Sequence, residues 1–207
     1  MEVEKAIKDL KSLLTEKVRG ILSEFEKNKT SSKKDKFLEL CFCILVANSS
    51  MEKTFKIWKE IGKDFLKLTK EELSQRLKEL GYRFYNKRAE YIVEARNKME
   101  LLEEILKLDD EFMIREKLIK NFKGIGWKEA SHFLRNLGYK NFVILDRHVL
   151  KSLRDLSIID EIPKALNKRI YLKIEERLRE IANKLEISLA ELDFYLFYKS
   201  SRKIPFK

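Results

Sequence analysis

FKGIGWKEA, residues 122–130, decides how this chain is read. It lies between two stretches with helical periodicity, and it uses two of the chain's six glycines within three residues. Glycine is a poor helix former that permits backbone angles and close approaches a side chain would block. The segment therefore reads as a tight turn between two helices, about 112–137 in all, with the second helix starting near Trp127. The amides of such a turn and of the following helix start can face an anion. Lys123, Gly124, Ile125 and Gly126 thus form a candidate phosphate clamp, one that fixes position on a nucleic-acid strand without reading bases. A Gly-x-Gly between helices is also an ordinary helix stop. What lifts it here is Lys128 in the first turn of the second helix and Asp146, eighteen residues later, directly after the apolar run NFVIL. One helix of about ten residues and a short connector would return Asp146 toward Lys128. Taken alone, Lys128 would be an exposed helical lysine and Asp146 the N-cap of the next helix, a role compatible with chemistry.

The rest of the chain supports this frame. Apolar residues recur at three- and four-residue spacing almost throughout, the mark of amphipathic helices. The pattern predicts helices over 3–27, 37–48, about 50–61, 70–80, 85–106, 110–121, 127–137, 146–154, 163–184 and 188–198. Ser49 with Glu52, and Thr69 with Glu72, have capping-box spacing. Pro163 suits a first helical turn, and only 141–145 looks extended. The helix over 37–48 is apolar nearly all round and so should be central. The fold class is all-α, a single domain over 1–207 with two lobes and no clear linker or internal repeat.

Composition narrows the partner. Of 207 residues, 45 are Lys or Arg and 34 Asp or Glu, a net charge of +11. The 38% charged residues fit a heat-adapted surface. The imbalance instead favours a polyanion, most simply nucleic acid. Cys41 and Cys43 lie two apart, on different faces of a helix, which suits neither a metal clamp nor a disulfide and leaves them as buried thiols. The N-terminus is acidic–basic and helical, unlike a signal peptide. The longest nearly apolar run, FLELCFCILVA at 37–47, is too short to span a bilayer. The expectation is a cytoplasmic, nucleoid-associated monomer with no membrane partner.

FKGIGWKEASHFLRNLG followed by NFVILDRHV resembles the helix-hairpin-helix DNA glycosylase superfamily, whose pattern is Gly-hydrophobic-Gly-x-Lys, then Asp in a hydrophobic-Asp-x-His-Val stretch. GYRFYNKRAEYIVEAR (81–96) resembles its aromatic-rich segment, and CFCILVANSS (41–50) its central helix and polar loop. Length, ILVANSS and the aromatic C-terminal run are most similar to the archaeal-type 8-oxoguanine DNA glycosylase/AP lyases of the second family. Endonuclease III-like members usually carry four cysteines for an iron–sulfur cluster, which two cysteines cannot supply. Lys128 argues against adenine glycosylases of the MutY type, which lack it.

The resemblance implies a two-lobed helical fold with the active site in the cleft between lobes, and double-stranded DNA containing 8-oxoguanine as partner. It implies Lys128 as Schiff-base nucleophile, with Asp146 stabilising the cationic sugar. The nucleophile must be a neutral amine, which burial, the helix start and Lys123 would favour. No cofactor is implied. A monovalent cation at the hairpin carbonyls, as in relatives, corresponds to no side-chain cluster here, and no metal ligands are expected. Asn48, Ser49 and Phe84 are candidates to fill the gap left by an extruded base or to face its partner, with local capping and core packing as their alternative uses. The aromatics Phe194, Tyr195, Phe197, Tyr198 and Phe206, and a carboxylate at Lys207, are candidates for the base pocket, against a reading as core and as a frayed basic tail. Two other readings stay open: an oxidised-pyrimidine glycosylase/lyase of endonuclease III type without a cluster, and a non-catalytic DNA-binding hairpin module.

Overall fold

The computed structural model describes residues 2–205 and 207. Phe206 of the candidate base pocket lies outside the described residues. The described chain is all helical, with no β-strand among those residues: α1 (Glu2–Lys27), α2 (Lys33–Val46), α3 (Met51–Ile61), α4 (Lys70–Glu79), α5 (Tyr85–Arg96), α6 (Met99–Leu106), α7 (Glu111–Asn121), α8 (Trp127–Asn136), α9 (Arg147–Asp155), α10 (Lys168–Lys184) and α11 (Leu189–Ser201). It divides into two compact units, one formed by 30–133 and the other by 1–29 with 134–207.

The 30–133 unit is organised on α2. Phe37 and every residue from Glu39 to Ala47 are buried, which is why this helix reads apolar all round. Cys41 and Cys43 are free buried thiols, and burial pushes the Cys41 thiol up. Helices α3, α5 and α6 pack on α2, α4 packs on α5, and α7 on α6. Thr69 and Glu72 form the expected capping box at the start of α4.

The other unit packs α1, α9 and α10 on α11. Ile7, Leu14, Val18, Leu22 and Phe25 form the buried stripe of α1, and the Phe25 ring meets Phe194 at 6.5 Å between centroids. Gly138, just after α8, has φ +87°, and a Cβ there would stand 2.6 Å from the Glu26 Cα. Only glycine lets the chain leave α8 so close to α1.

Three expectations change. The helix expected over 85–106 breaks at Asn97–Lys98 into α5 and α6. Neither glycine nor proline marks the break; it lets Leu102 and Ile105 reach the core while the Lys98 ammonium takes the Asn121 carbonyl. The cap of α3 is Ser50, not Ser49: Asn48 adopts φ +61° to end α2, and Ser49 spends its N–H on the Val46 carbonyl. Helix α10 starts at Lys168, because Asn167 caps it by accepting from the Ile170 amide, and Pro163 stays in the preceding loop. Residues 141–145, expected to be extended, form no helix and no strand; side chains pin them, Tyr171 Oη donating to the Val143 carbonyl and the Ile144 amide to Asp193.

Candidate active site

The hairpin forms where the sequence places it. Helix α7 ends as Phe122 caps it, and the Ile125 amide donates back to the Phe122 carbonyl at 3.2 Å. Ile125 is buried and anchors the turn. Arg115, also buried, reaches from α7 to the Ser131 hydroxyl on α8 and lies 4.8 Å from the Trp127 ring, locking the two arms together.

The two glycines do different work. Gly124 has φ +82°, and a Cβ there would stand 2.7 Å from Tyr91 Cδ2 and 3.3 Å from Arg88 Nη1, so α5 packs directly on its backbone. Gly126 has no such backbone angle, and its Cβ would meet only the end of the Glu129 side chain at 3.1 Å. Gly124→Ala should therefore cost about 2–4 kcal/mol, a left-handed penalty plus overpacking. Gly126→Ala should cost less than about 1 kcal/mol, set mainly by alanine being the poorer residue at a helix start, where the Gly126 carbonyl accepts from the Ala130 amide. Urea midpoints of the two variants check this, and equal losses would refute the close-approach account.

The electrostatics of the hairpin differ from expectation. The Gly126 amide is not left open: it donates to Glu129 Oε2 at 3.3 Å, while Glu129 Oε1 lies 3.1 Å from Lys128 Nζ. Lys128 is 31% exposed and sits in the first turn of α8. Lys123, expected to add positive charge beside the clamp, is paired with Glu94 at 2.9 Å, and that carboxylate's hydrogen bond raises the Lys123 pKa. Each lysine thus has a carboxylate partner. A phosphate binding at the turn would compete with Glu129 for the Gly126 amide.

In the other unit, Asp146 is the N-cap of α9, as its position after the apolar run suggests. Its Oδ1 accepts from the His148 amide at 2.9 Å and the Val149 amide at 2.8 Å. Oδ2 has no hydrogen-bond partner among the described residues. Behind it, buried Asp193 accepts from the Ile144 amide at 2.9 Å and pairs with buried Arg135 at 2.6 Å. Burial pushes Asp193 up to about 6 against the opposing pull of Arg135 and the Ile144 amide, and the nearby Asp146 charge adds to the rise. Arg135 Nη2 also donates to the Lys207 carbonyl oxygen at 3.0 Å, so the chain end is held rather than frayed. Phe194 and Tyr195 are fully buried and belong to the core; Phe197 and Tyr198 are half-buried.

Asn48 is exposed in a left-handed conformation, and Ser49 is half-buried beside it. Phe84 is half-buried at the N-cap of α5, with the Arg83 guanidinium 4.3 Å above its ring. Two residues at this site escaped the sequence reading, Glu129 and Arg88. Glu129 stands three residues after Gly126, the spacing of a capping carboxylate, which was a usable signal. Arg88 lies in the aromatic-rich segment with nothing in its periodicity to mark it as special.

The family described as 8-oxoguanine DNA glycosylase matches residues 18–187. The chain belongs to the 8-oxoguanine DNA glycosylase family. The 8-oxoguanine DNA glycosylase/AP lyase of Methanocaldococcus jannaschii is 46% identical over 202 residues, covering 96% of this chain and 98% of that protein. That of Korarchaeum cryptofilum is 44% identical over 209 residues, 99% of each. The crystal structure of the Methanocaldococcus jannaschii 8-oxoguanine glycosylase/lyase in complex with a 15mer DNA containing 8-oxoguanine superposes with a TM-score of 0.94, at 46% identity over 99% of this chain and 100% of that one. The family fold is thus present over essentially the full length. Among the described residues, no helix is long and apolar enough to cross a membrane.

Proposed function

We propose that this chain is a bifunctional DNA glycosylase and AP lyase that excises 8-oxoguanine from double-stranded DNA and then cuts the strand. The observation that carries the reading is near-full-length identity of 46% to a protein of that name. It is supported by a lysine at the hairpin helix start and an N-cap aspartate with one oxygen unspent.

The neutral amine of Lys128 attacks C1′ of the damaged nucleoside. The C1′–N bond to the base breaks as the C1′–Nζ bond forms, and the base departs with the bonding electrons. Opening of the sugar leaves a Schiff base, which acidifies the C2′ proton. Loss of that proton expels the 3′ phosphate by β-elimination. Asp146 stabilises the cationic sugar and exchanges protons. The turn 123–126 holds a phosphate by its backbone, after that phosphate displaces Glu129 from the Gly126 amide. Extruding the base costs a few kcal/mol, which Asn48, Ser49 and Phe84 offset at the vacated position. Lys207 is assigned to the base pocket, with Arg135 behind it. The reading takes the chain as one domain that acts as a monomer in the cytoplasm, at the nucleoid.

Asp146→Asn separates chemistry from folding. Asparagine caps a helix about as well as aspartate, so stability should change by less than about 0.5 kcal/mol. Excision under single turnover should fall about a hundredfold or more, because the negative charge opposite the sugar cation is gone. Unchanged excision would remove Asp146 from the mechanism. The substrate is tested by borohydride trapping on an 8-oxoguanine·cytosine duplex beside a thymine glycol duplex. An adduct only on the second would favour the oxidised-pyrimidine enzyme; binding without an adduct on either would leave a DNA-binding module.

A further inference from the structure

Arg88 is a nine-tenths buried cation that neither the chemistry nor the family resemblance accounts for. It lies on α5, and its guanidinium touches three pieces of chain to which DNA contacts are assigned. Nη2 donates to the Ala47 carbonyl at 3.1 Å, the last residue before left-handed Asn48. Nη1 lies 3.3 Å from where a Gly124 Cβ would stand, against the backbone of the hairpin turn. The Phe84 ring is 5.9 Å from the guanidinium carbon, and the Tyr91 ring 5.7 Å.

Arg88 shares the end of α2 with Tyr82, whose hydroxyl donates to the Leu45 carbonyl at 2.6 Å. Together they satisfy carbonyls that a helix C-terminus leaves open. Yet Arg88 Nε is buried with no hydrogen-bond partner. A guanidinium buried with an unmet donor is a costly way to cap a helix. An exposed lysine could do that job without the desolvation. What arginine adds is a rigid planar fork that meets several partners at fixed angles.

We infer that Arg88 is a positioning residue that holds the 47–50 loop and Phe84 in register with the hairpin turn, so that base extrusion and phosphate clamping act on the same nucleotide. The inference rests on the glycosylase reading above. It predicts a specific defect. Removing Arg88 should harm the steps that need a stack to be opened and a partner base to be faced. It should spare the amine chemistry, which needs neither.

The test compares Arg88→Met and Arg88→Lys with the wild type on two substrates. One is an 8-oxoguanine·cytosine duplex under single turnover. The other is a single-stranded oligonucleotide with a preformed abasic site, scored by borohydride trapping. For Arg88→Met, duplex excision should fall about a hundredfold, the scale set by misplacing contacts by an ångström. Abasic trapping should stay within about threefold of wild type. Arg88→Lys should recover part of the duplex rate, since it keeps the charge and can reach Ala47 but cannot form the fork. Parallel loss on both substrates that tracks thermal stability would reduce Arg88 to a structural residue and overturn the inference, as would undiminished duplex excision. A wild type that traps on neither substrate would fail differently: it would overturn the Lys128 reading itself, and this inference with it.

Discussion

Lys128→Gln should abolish the borohydride-trapped adduct and lower strand cleavage at 8-oxoguanine by at least about three orders of magnitude, while leaving DNA binding largely in place. The expectation follows from what the substitution removes and what it spares. A glutamine amide nitrogen is not nucleophilic and forms no Schiff base, so no covalent intermediate can accumulate for borohydride to reduce. The same amide can still donate to Glu129, the present partner of Lys128 Nζ. Lys128 is partly exposed, so the fold should tolerate the change within about 0.5 kcal/mol. The hairpin backbone is untouched, and the net charge falls by one from +11, so the salt slope of binding should decrease by at most about one unit. Trapping and single-turnover cleavage measure the first part, salt-dependent binding the second. An adduct that survives in Lys128→Gln would place the nucleophile on another amine.

Arg135→Met should be the most damaging substitution for stability. The Arg135–Asp193 pair is almost wholly buried, with both side chains about 2% exposed. Removing one member strands the other charge, which typically costs about 3–5 kcal/mol. For a chain of this size that is a fall in Tm of about 10 °C or more. It also frees the Lys207 carbonyl, so the chain end and the approach to Asp146 should loosen together.

The loss carries a pH signature. Burial holds Asp193 at about 6 in the folded protein, above the value of about 3.9 of an unfolded chain. A group raised on folding binds its proton more tightly in the native state. Its cost is therefore full above about pH 6 and fades as pH falls toward about 4. Removing Arg135 deletes the opposing cation and raises Asp193 further, so the variant's deficit relative to wild type should be largest at pH 8 and smaller at pH 5. Thermal unfolding at both pH values decides it; equal deficits would rule out an ionic origin.

Much of the local structure around the candidate site is legible in the sequence. The hairpin, Lys128 and Asp146 stood out because local rules govern them: glycines where the backbone must turn, an aspartate where a helix starts. Thr69 and Glu72 were readable for the same reason. The misses came where several local solutions were equally good. Ser49 and Ser50 could each cap α3, and the left-handed turn at Asn48 chose between them. Pro163 and Asn167 could each open α10, and the hydrogen bond to the Ile170 amide chose Asn167. Residues 85–106 are helical throughout by pattern, yet packing demanded a break at Asn97–Lys98.

The order of helices, the central place of α2, the basic character and the position of the hairpin were set in the sequence, because each depends on periodicity, on composition or on residues a few positions apart. The partners of charged groups were not. That Glu129 occupies the Gly126 amide, that Lys123 is engaged by Glu94, that Arg88 bridges Ala47 and Gly124, and that Arg135 ties Asp193 to the chain end were decided only by tertiary structure. A long charged side chain can reach many neighbours, and which one it meets depends on helices brought together across tens of residues of chain.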